Sequence, residues 1–201
     1  MKSLSVKIIS QLSDNYCYAI YEKEHSSSIV IDPAEAENII YYLKEKKLNL
    51  EYIFITHHHS DHTSGVLDLV KEYPEVKIYS PSDLATLSTN KISHDDKIKT
   101  SINEFEIISA PGHTLDHIIL CDHKNNFLFV GDVLFRLGCG RIFEGTYEQM
   151  QTSLQKILNL SDDLTVYCGH EYTKNNLKFL EQIFDKNMIL EQVKKEIFKD
   201  I

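Results

Sequence analysis

The chain reads as an α+β protein in which two mixed β-sheets pack face to face and helices flank the outer faces, a four-layer sandwich. Three observations point there. Short apolar runs of strand character recur along the whole sequence, with helical stretches between them. The second half repeats the first in outline. One pattern also returns four times: an apolar run ends, and a histidine or aspartate stands in the loop that follows. Side chains placed that way are held by a rigid sheet yet open to solvent.

Taken in order, Val6-Lys7-Ile8-Ile9, Tyr16-Cys17-Tyr18-Ala19-Ile20-Tyr21 and Ser28-Ile29-Val30-Ile31 read as strands, with Asp14-Asn15 turning the chain between the first two. Asp32-Pro33 stops the sheet and opens a helix whose apolar stripe is Ile39, Ile40 and Leu43. Tyr52-Ile53-Phe54-Ile55 is a continuous apolar run suited to a strand buried on both faces. A helix through Val66, Leu67, Leu69 and Val70 ends near Pro74, and Val76–Tyr79 is the next strand. Further strands follow at Phe105–Ile108, Ile118–Leu120 and Phe127–Val130, the last two joined by a turn at Lys124-Asn125-Asn126. A helix over Tyr147–Leu158 and a strand at Leu164–Tyr167 complete the pattern. Leu177, Leu180, Ile183 and Phe184, then Ile189, Leu190, Val193 and Ile197, mark two closing helices.

The 201 residues allow one sizeable domain and an appendage; 42% hydrophobic and 25% charged is ordinary for a globular protein. A formal charge of −9 without a basic stripe argues against a nucleic-acid partner. The lysines at Lys44-Glu45-Lys46-Lys47 and Lys194-Lys195 have acids beside them and read as solvated helix faces. No apolar run reaches the length of a membrane span, and the N-terminus lacks a signal peptide's apolar segment. Cys17, Cys121, Cys139 and Cys168 are scattered and read as reduced thiols. The expectation is a cytoplasmic protein without a membrane partner, with a monomer favoured.

The ten histidines carry the information. Four of them fall in Thr56-His57-His58-His59-Ser60-Asp61-His62, immediately after the buried strand. His57 and His59 point the same way from an extended loop, so both imidazoles reach one ion. Asp61 and His62 follow at a tighter bend and reach a neighbouring one. Pro111-Gly112-His113-Thr114, Gly131-Asp132 and Gly169-His170 each follow a later strand, with a glycine that lets the backbone turn sharply. Imidazoles and carboxylates together suit zinc, iron or manganese. His25, His94 and His123 stand among polar residues and read as surface groups.

That ordered set resembles the metallo-β-lactamase superfamily. The finer likeness is to the glyoxalase II (hydroxyacylglutathione hydrolase) family. It rests on Leu12-Ser13-Asp14-Asn15-Tyr16, on Gly131–Phe135 running into Gly138–Thr146, and on Cys168–Leu177, and covers residues from about 5 to 180. The resemblance implies two divalent ions, zinc foremost, with iron or manganese accepted by the same donors. His57, His59 and His113 would hold one, Asp61, His62 and His170 the other, and Asp132 would bridge them. His58 has no such role in the family and reads as supporting or exposed; His117 reads as orienting a ligand loop. Two ions about 3.5–4 Å apart can share a water and make it hydroxide near neutral pH. Asp61 and Asp132 are thereby the catalytic carboxylates.

The implied substrate is a glutathione thioester, S-(2-hydroxyacyl)glutathione and typically S-lactoylglutathione, released as glutathione and lactate in methylglyoxal detoxification. Arg141, Phe143 and Tyr172 are the substrate-side residues; Phe143 stands where some members carry tyrosine. Residues 1–172 form the catalytic domain. Residues 173–201 form a helical extension shorter than the family's, and Lys194, Lys195 and Lys199 do not align with its closing basic segment. The rival readings are a persulfide dioxygenase with a single iron, a phosphodiesterase or ribonuclease of the same fold, and a metal-binding protein without catalysis.

Overall fold

In the computed structural model the described residues are 4–22, 24–84, 89–184 and 188–197; of the last stretch only the side chains of 191–195 are included. The first sheet contains β1 (Leu4–Gln11), β2 (Asn15–Glu22), β3 (Ser27–Ile31), β4 (Asn49–Phe54), β5 (Lys77–Ser80) and β6 (Asn90–Lys91), in that spatial order. β1 to β3 pair antiparallel and β3 to β6 pair parallel. The parallel crossovers carry α1 (Glu37–Glu45), the single turn α2 (Ser60–Thr63) and α3 (Val66–Glu72). The second sheet contains β7 (Lys97–Lys99), β8 (Glu104–Ser109), β9 (Ile118–Asp122) and β10 (Phe127–Gly131). A small hairpin, β11 (Leu134–Phe135) with β12 (Gly138–Cys139), leads into α4 (Tyr147–Leu158). β13 (Thr165–Cys168) then returns to pair parallel with β10, giving the order β13-β10-β9-β8-β7. α5 (Thr173–Ile183) and α6 (Met188–Ile197) close the described chain.

Side chains alternate between the faces of a strand, and here both faces are apolar. Cys17 and Ala19 of β2, Val30 of β3 and Ile53 of β4 point to α1 and α3, where Ile39, Leu43, Val66 and Leu69 meet them. Their neighbours Tyr18, Ile20, Ile29, Ile31 and Phe54 point the other way, onto Phe105, Ile107, Ile118, Leu120 and Phe129 of the second sheet. The far face of that sheet, with Ile108, Ile119, Leu128 and Val130, packs on Met150, Leu154 and Ile157 of α4. Three apolar layers separate four structural ones, as the sequence predicts. Phe54, Phe105 and Phe129 meet edge-on in the middle layer, Phe54–Phe105 at 5.1 Å and Phe105–Phe129 at 6.1 Å between ring centres. Truncating such a ring to alanine costs about 3–5 kcal/mol.

The structure departs from expectation in three places. The helix foreseen at Asp32-Pro33 starts only at Glu37. Asp32 has φ +53°, a left-handed value incompatible with a right-handed helix start, and its carboxylate is committed to Thr56. Elements α2, β6, β7, β11 and β12 are too short to leave a periodic trace. In the apolar stripe of α5, Leu177 is buried, whereas Ile183 and Phe184 are about half exposed.

β3, β4, β8, β10 and β13 all end on one edge of the sandwich, where β2 begins. The two sheets are stitched together along that edge. Tyr16 N–H donates to Gly169 O (2.8 Å) and Ile118 N–H to Thr56 O (2.9 Å), while within the second sheet Gly169 N–H donates to Gly131 O (2.8 Å). Loops from both sheets are thereby fixed within reach of one another.

Candidate metal centre

The seven residues singled out as donors meet at this edge. His57 and His59 come from the loop after β4, and Asp61 and His62 from α2. His113 comes from the loop after β8, Asp132 from the end of β10, and His170 from the end of β13. His57 Nε2 and His113 Nε2 lie 3.1 and 3.0 Å from His59 Nδ1. Tetrahedral zinc with nitrogens at about 2.0–2.1 Å would set them about 3.3 Å apart. The second group is as close-knit. Asp61 Oδ2 stands 3.7 Å from His62 Nε2 and 3.4 Å from His170 Nε2. Asp132 faces both groups: Oδ2 is 3.4 Å from His113 Nε2 and 3.2 Å from His170 Nε2, and Oδ1 is 3.5 Å from His62 Nε2.

Behind these atoms lies a row of oxygens that sets the ring orientations. His113 Nδ1 donates to Arg141 O (2.7 Å), and His170 Nδ1 to Asp14 Oδ1 (2.8 Å). His62 Nδ1 faces Asp32 Oδ2 at 3.0 Å, and His57 Nδ1 faces Thr56 Oγ1 at 3.0 Å. Thr56 Oγ1 in turn donates to Asp32 Oδ2 (2.7 Å), so one buried carboxylate orients a histidine of each group. Each of these four imidazoles thus has Nδ1 anchored and Nε2 free toward the centre, the arrangement typical of metal-ligating histidine. Asn15 Nδ2 donates to Asp61 Oδ2 (3.0 Å). The sequence marks Asp14 and Asn15 as a turn within the family-like Leu12–Tyr16 segment and Asp32 as a helix start, with no contact to the donors foreseen for any of them. Yet Asp32 follows Ile29-Val30-Ile31 in the same strand-then-acid pattern that singled out Asp132.

His117 is fully buried, stacks on His57 (4.7 Å, 19°), and accepts the Asp132 N–H through Nε2 (3.1 Å). It therefore sets the turn that carries Asp132 and does not reach the centre. That turn needs a glycine. Gly131 has φ +48°, and a Cβ there would meet Thr56 Oγ1 at 2.6 Å and the His117 ring at 2.8 Å. A Cβ on Gly169 would stand 2.2 Å from Asp132 Oδ1.

Charge is concentrated here. His170 and Asn15 hold the Asp61 carboxyl well below its ordinary range, despite partial burial. Burial opposes ionisation of Asp132 as well, but His170 and His62 draw its pKa far down. Reciprocally, against the pull of burial, Asp32 and Asp132 raise His62 to about 10; Asp132 and Asp61 do the same for His170. Burial and the neighbouring imidazoles keep His57 and His59 below theirs. His62 Nε2 and Asp132 Oδ1, both buried, have no hydrogen-bond partner. Unpaired buried polar atoms are rare and costly, and these point at each other across 3.5 Å. A divalent cation between imidazole nitrogens and carboxylate oxygens would give both atoms a partner. The donor set fits.

The residues expected to meet substrate border this centre. The Phe143 ring is 5.6 Å from His59 and 5.2 Å from His113, is 59% exposed, and carries the Arg141 guanidinium over its face at 5.6 Å. Tyr172 stacks flat on His170 (4.8 Å, 7°). Burial and the nearby Asp14 push its phenol up to about 12, so it remains a hydrogen-bond donor at neutral pH. His58, expected to be supporting or exposed, is 40% exposed and sits between two carboxylates, 3.0 Å from Asp116 Oδ1 and 3.2 Å from Glu144 Oε1. His25, His94 and His123 are surface groups, each about half exposed. Among the described residues, no helix is long and apolar enough to cross a membrane.

The chain is similar to known proteins. A family model for the metallo-β-lactamase superfamily matches residues 12–170. The hydroxyacylglutathione hydrolase of Vibrio cholerae is 41% identical over 197 residues, which cover 96% of this chain and 76% of that protein. The hydroxyacylglutathione hydrolase of Pelagibacter ubique is 43% identical over 178 residues, covering 88% and 74%. The crystal structure of ETHE1 from Myxococcus xanthus superposes with a TM-score of 0.74 at 28% identity, covering 84% of this chain and 76% of that one. With the fold, the strand-end donors and these relatives in agreement, the chain belongs to the metallo-β-lactamase superfamily and, within it, to the hydroxyacylglutathione hydrolases, the glyoxalase II family.

Proposed function

We propose that this chain hydrolyses the thioester of S-(2-hydroxyacyl)glutathione, S-lactoylglutathione foremost, to glutathione and a 2-hydroxy acid, the last step of methylglyoxal detoxification. The observation that carries this reading is a pair of donor triads meeting at one carboxylate, Asp132, with Arg141 and Tyr172 beside them. His57, His59 and His113 would hold one divalent ion, Asp61, His62 and His170 a second, and Asp132 would belong to both. Zinc is the foremost candidate, and iron and manganese suit the same donors. Bound there, the ions supply Lewis acidity, which makes water nucleophilic near neutral pH and stabilises negative charge.

The chain's own groups do the rest. Asp32, Asp14 and the Arg141 carbonyl fix the imidazoles by their Nδ1 atoms, so that the centre needs little reorganisation during reaction. Asp61 and Asp132, both held ionised, place acceptor oxygens where a water proton can go. The Arg141 guanidinium offers a charged fork to a glutathione carboxylate. Tyr172 offers a phenolic proton, and the Phe143 ring an apolar face. In the reaction the acyl C–S bond breaks, a C–O bond forms with water, and the sulfur leaves as thiolate. An alkyl thiol ionises at about 8.5, so the leaving group needs no strong general acid, and none is present among the motifs. Residues 1–172 are assigned as the catalytic domain and 173–201 as a helical extension on its substrate side. A monomer in the cytoplasm completes the proposal.

Thiol release from S-lactoylglutathione, measured beside the metal content of the same sample, tests it. Turnover that tracks two ions per chain supports the reading. A full metal complement with no thiol release rejects the substrate. One iron per chain with oxygen uptake replaces hydrolysis by the dioxygenase alternative.

A further inference from the structure

His58 lies between two proposed ligands in sequence, yet its ring turns away from the centre. Nδ1 faces Asp116 Oδ1 (3.0 Å) and Nε2 faces Glu144 Oε1 (3.2 Å). The three residues belong to three different loops: the one after β4, the one between β8 and β9, and the one between β12 and α4. Each carboxylate is anchored a second time. Asp116 Oδ1 accepts the Thr114 hydroxyl (2.7 Å), and Glu144 Oε2 accepts the Leu115 N–H (2.8 Å). Main-chain bonds from Phe143 N–H to His113 O (3.2 Å) and from Gly145 N–H to Gly112 O (3.1 Å) run alongside. The loop between β12 and α4 carries Arg141 and Phe143, and it is thus fastened to both loops that carry His57, His59 and His113.

We propose that His58, Asp116 and Glu144 are positioning residues: a side-chain clip that holds the 140–146 loop, with Arg141 and Phe143, over the donor set. The proposal rests on the reading above that those two side chains meet the glutathione arm. His58 and Glu144 are 40% and 36% exposed and Asp116 18%. Polar side-chain contacts at such partly exposed sites add little to global stability, so the clip acts on the placement of one loop. Placement matters because Arg141 and Phe143 are read as contacts to the non-reacting glutathione arm, and a displaced contact of that kind loses binding that ground state and transition state share, which raises KM and leaves kcat.

The test uses the full, metal-loaded chain with His58→Ala, Glu144→Gln and the double variant. With S-lactoylglutathione, each single change is expected to raise KM about fivefold or more while kcat stays within about threefold. Both should retain the wild-type metal content, and the double variant should be no worse than the poorer single one, because either change opens the same clip. Independently of turnover, amide hydrogen exchange within residues 141–146 is expected to quicken in all three variants and to remain unchanged in β9 and β10. Additive KM effects, unchanged exchange, or a fall in kcat that follows loss of metal would each overturn the clip. So would a third zinc equivalent in the wild type that disappears in His58→Ala, which would make the cluster a cation site. If the wild type fails to cleave the thioester, the exchange measurement still decides the clip, and only the substrate assignment is lost.

Discussion

Strand β9 has a cluster of reactive residue types at each end, and the two ends differ in every respect that matters for chemistry. At its start, next to His117, lie the seven donor residues. At its finish, Cys121 Sγ stands 3.5 Å from His123 Nε2, and that nitrogen is 3.2 Å from Glu106 Oε2. The second group has the composition of a cysteine–histidine–carboxylate catalytic set and lines a cavity of about 510 Å3. Yet the thiol is fully buried, and burial pushes its pKa up to about 12, with Glu106 and Asp122 adding to the rise. A thiol that stays protonated is no nucleophile. The polar residues beside it are satisfied: Asp122 accepts from Asn103 Nδ2 (2.9 Å), Asn125 N–H (3.0 Å) and Asn125 Nδ2 (2.8 Å). At the metal end, by contrast, buried donor and acceptor atoms converge with no partner. Residue type and cavity volume favour one end; the convergence of imidazoles anchored by Nδ1 on shared carboxylates marks the other.

The first way to break this comparison is Asp132→Ala. It removes the carboxylate that faces both triads, and turnover should fall by about 10³-fold or more, with loss of bound metal in mass spectrometry of the native protein. Retained metal with modest loss of rate would mean that Asp132 is not shared. Chelation should abolish thiol release and zinc should restore it. The chelated protein should also melt earlier, since an ion bound only by the folded state at about 1,000 times its Kd contributes about 4 kcal/mol. Next comes Gly169→Ala. Its methyl would displace Asp132 Oδ1, so kcat should drop about tenfold to a hundredfold while the circular dichroism spectrum is preserved. Smallest is Cys121→Ala at the opposite end. Thioester turnover should not change, and urea unfolding should register only the loss of packing, about 1–2 kcal/mol. Loss of turnover in that variant would put chemistry at both ends.

How far the sequence alone reaches follows from the same contrast. Short apolar runs in β2, β3, β8, β9 and β10 make the sandwich legible, because strands between two apolar layers leave few polar positions. The strand-end donors were legible as well, since His57, His113, Asp132 and His170 each break an apolar run. The residues behind them were not. Asp32 followed its strand in the same way, but the proline after it suggested a helix start, and only contact with Thr56 and His62 gives it another role. Asp14 read as a turn residue until β13 brought His170 to it across 156 positions. His58 is paired with carboxylates 58 and 86 residues away, on loops whose approach no local pattern encodes. The stripe of α5 marked its helix, but helical spacing says nothing of how far Ile183 and Phe184 are covered.

The central claim is that seven side chains from both sheets hold two divalent ions around Asp132. Anomalous scattering from crystals grown with zinc, recorded on either side of the zinc absorption edge, tests it most directly. Two peaks are expected, one enclosed by His57, His59 and His113 and one by Asp61, His62 and His170, each also touching Asp132. A single peak, or zinc bound away from Asp132, would contradict it.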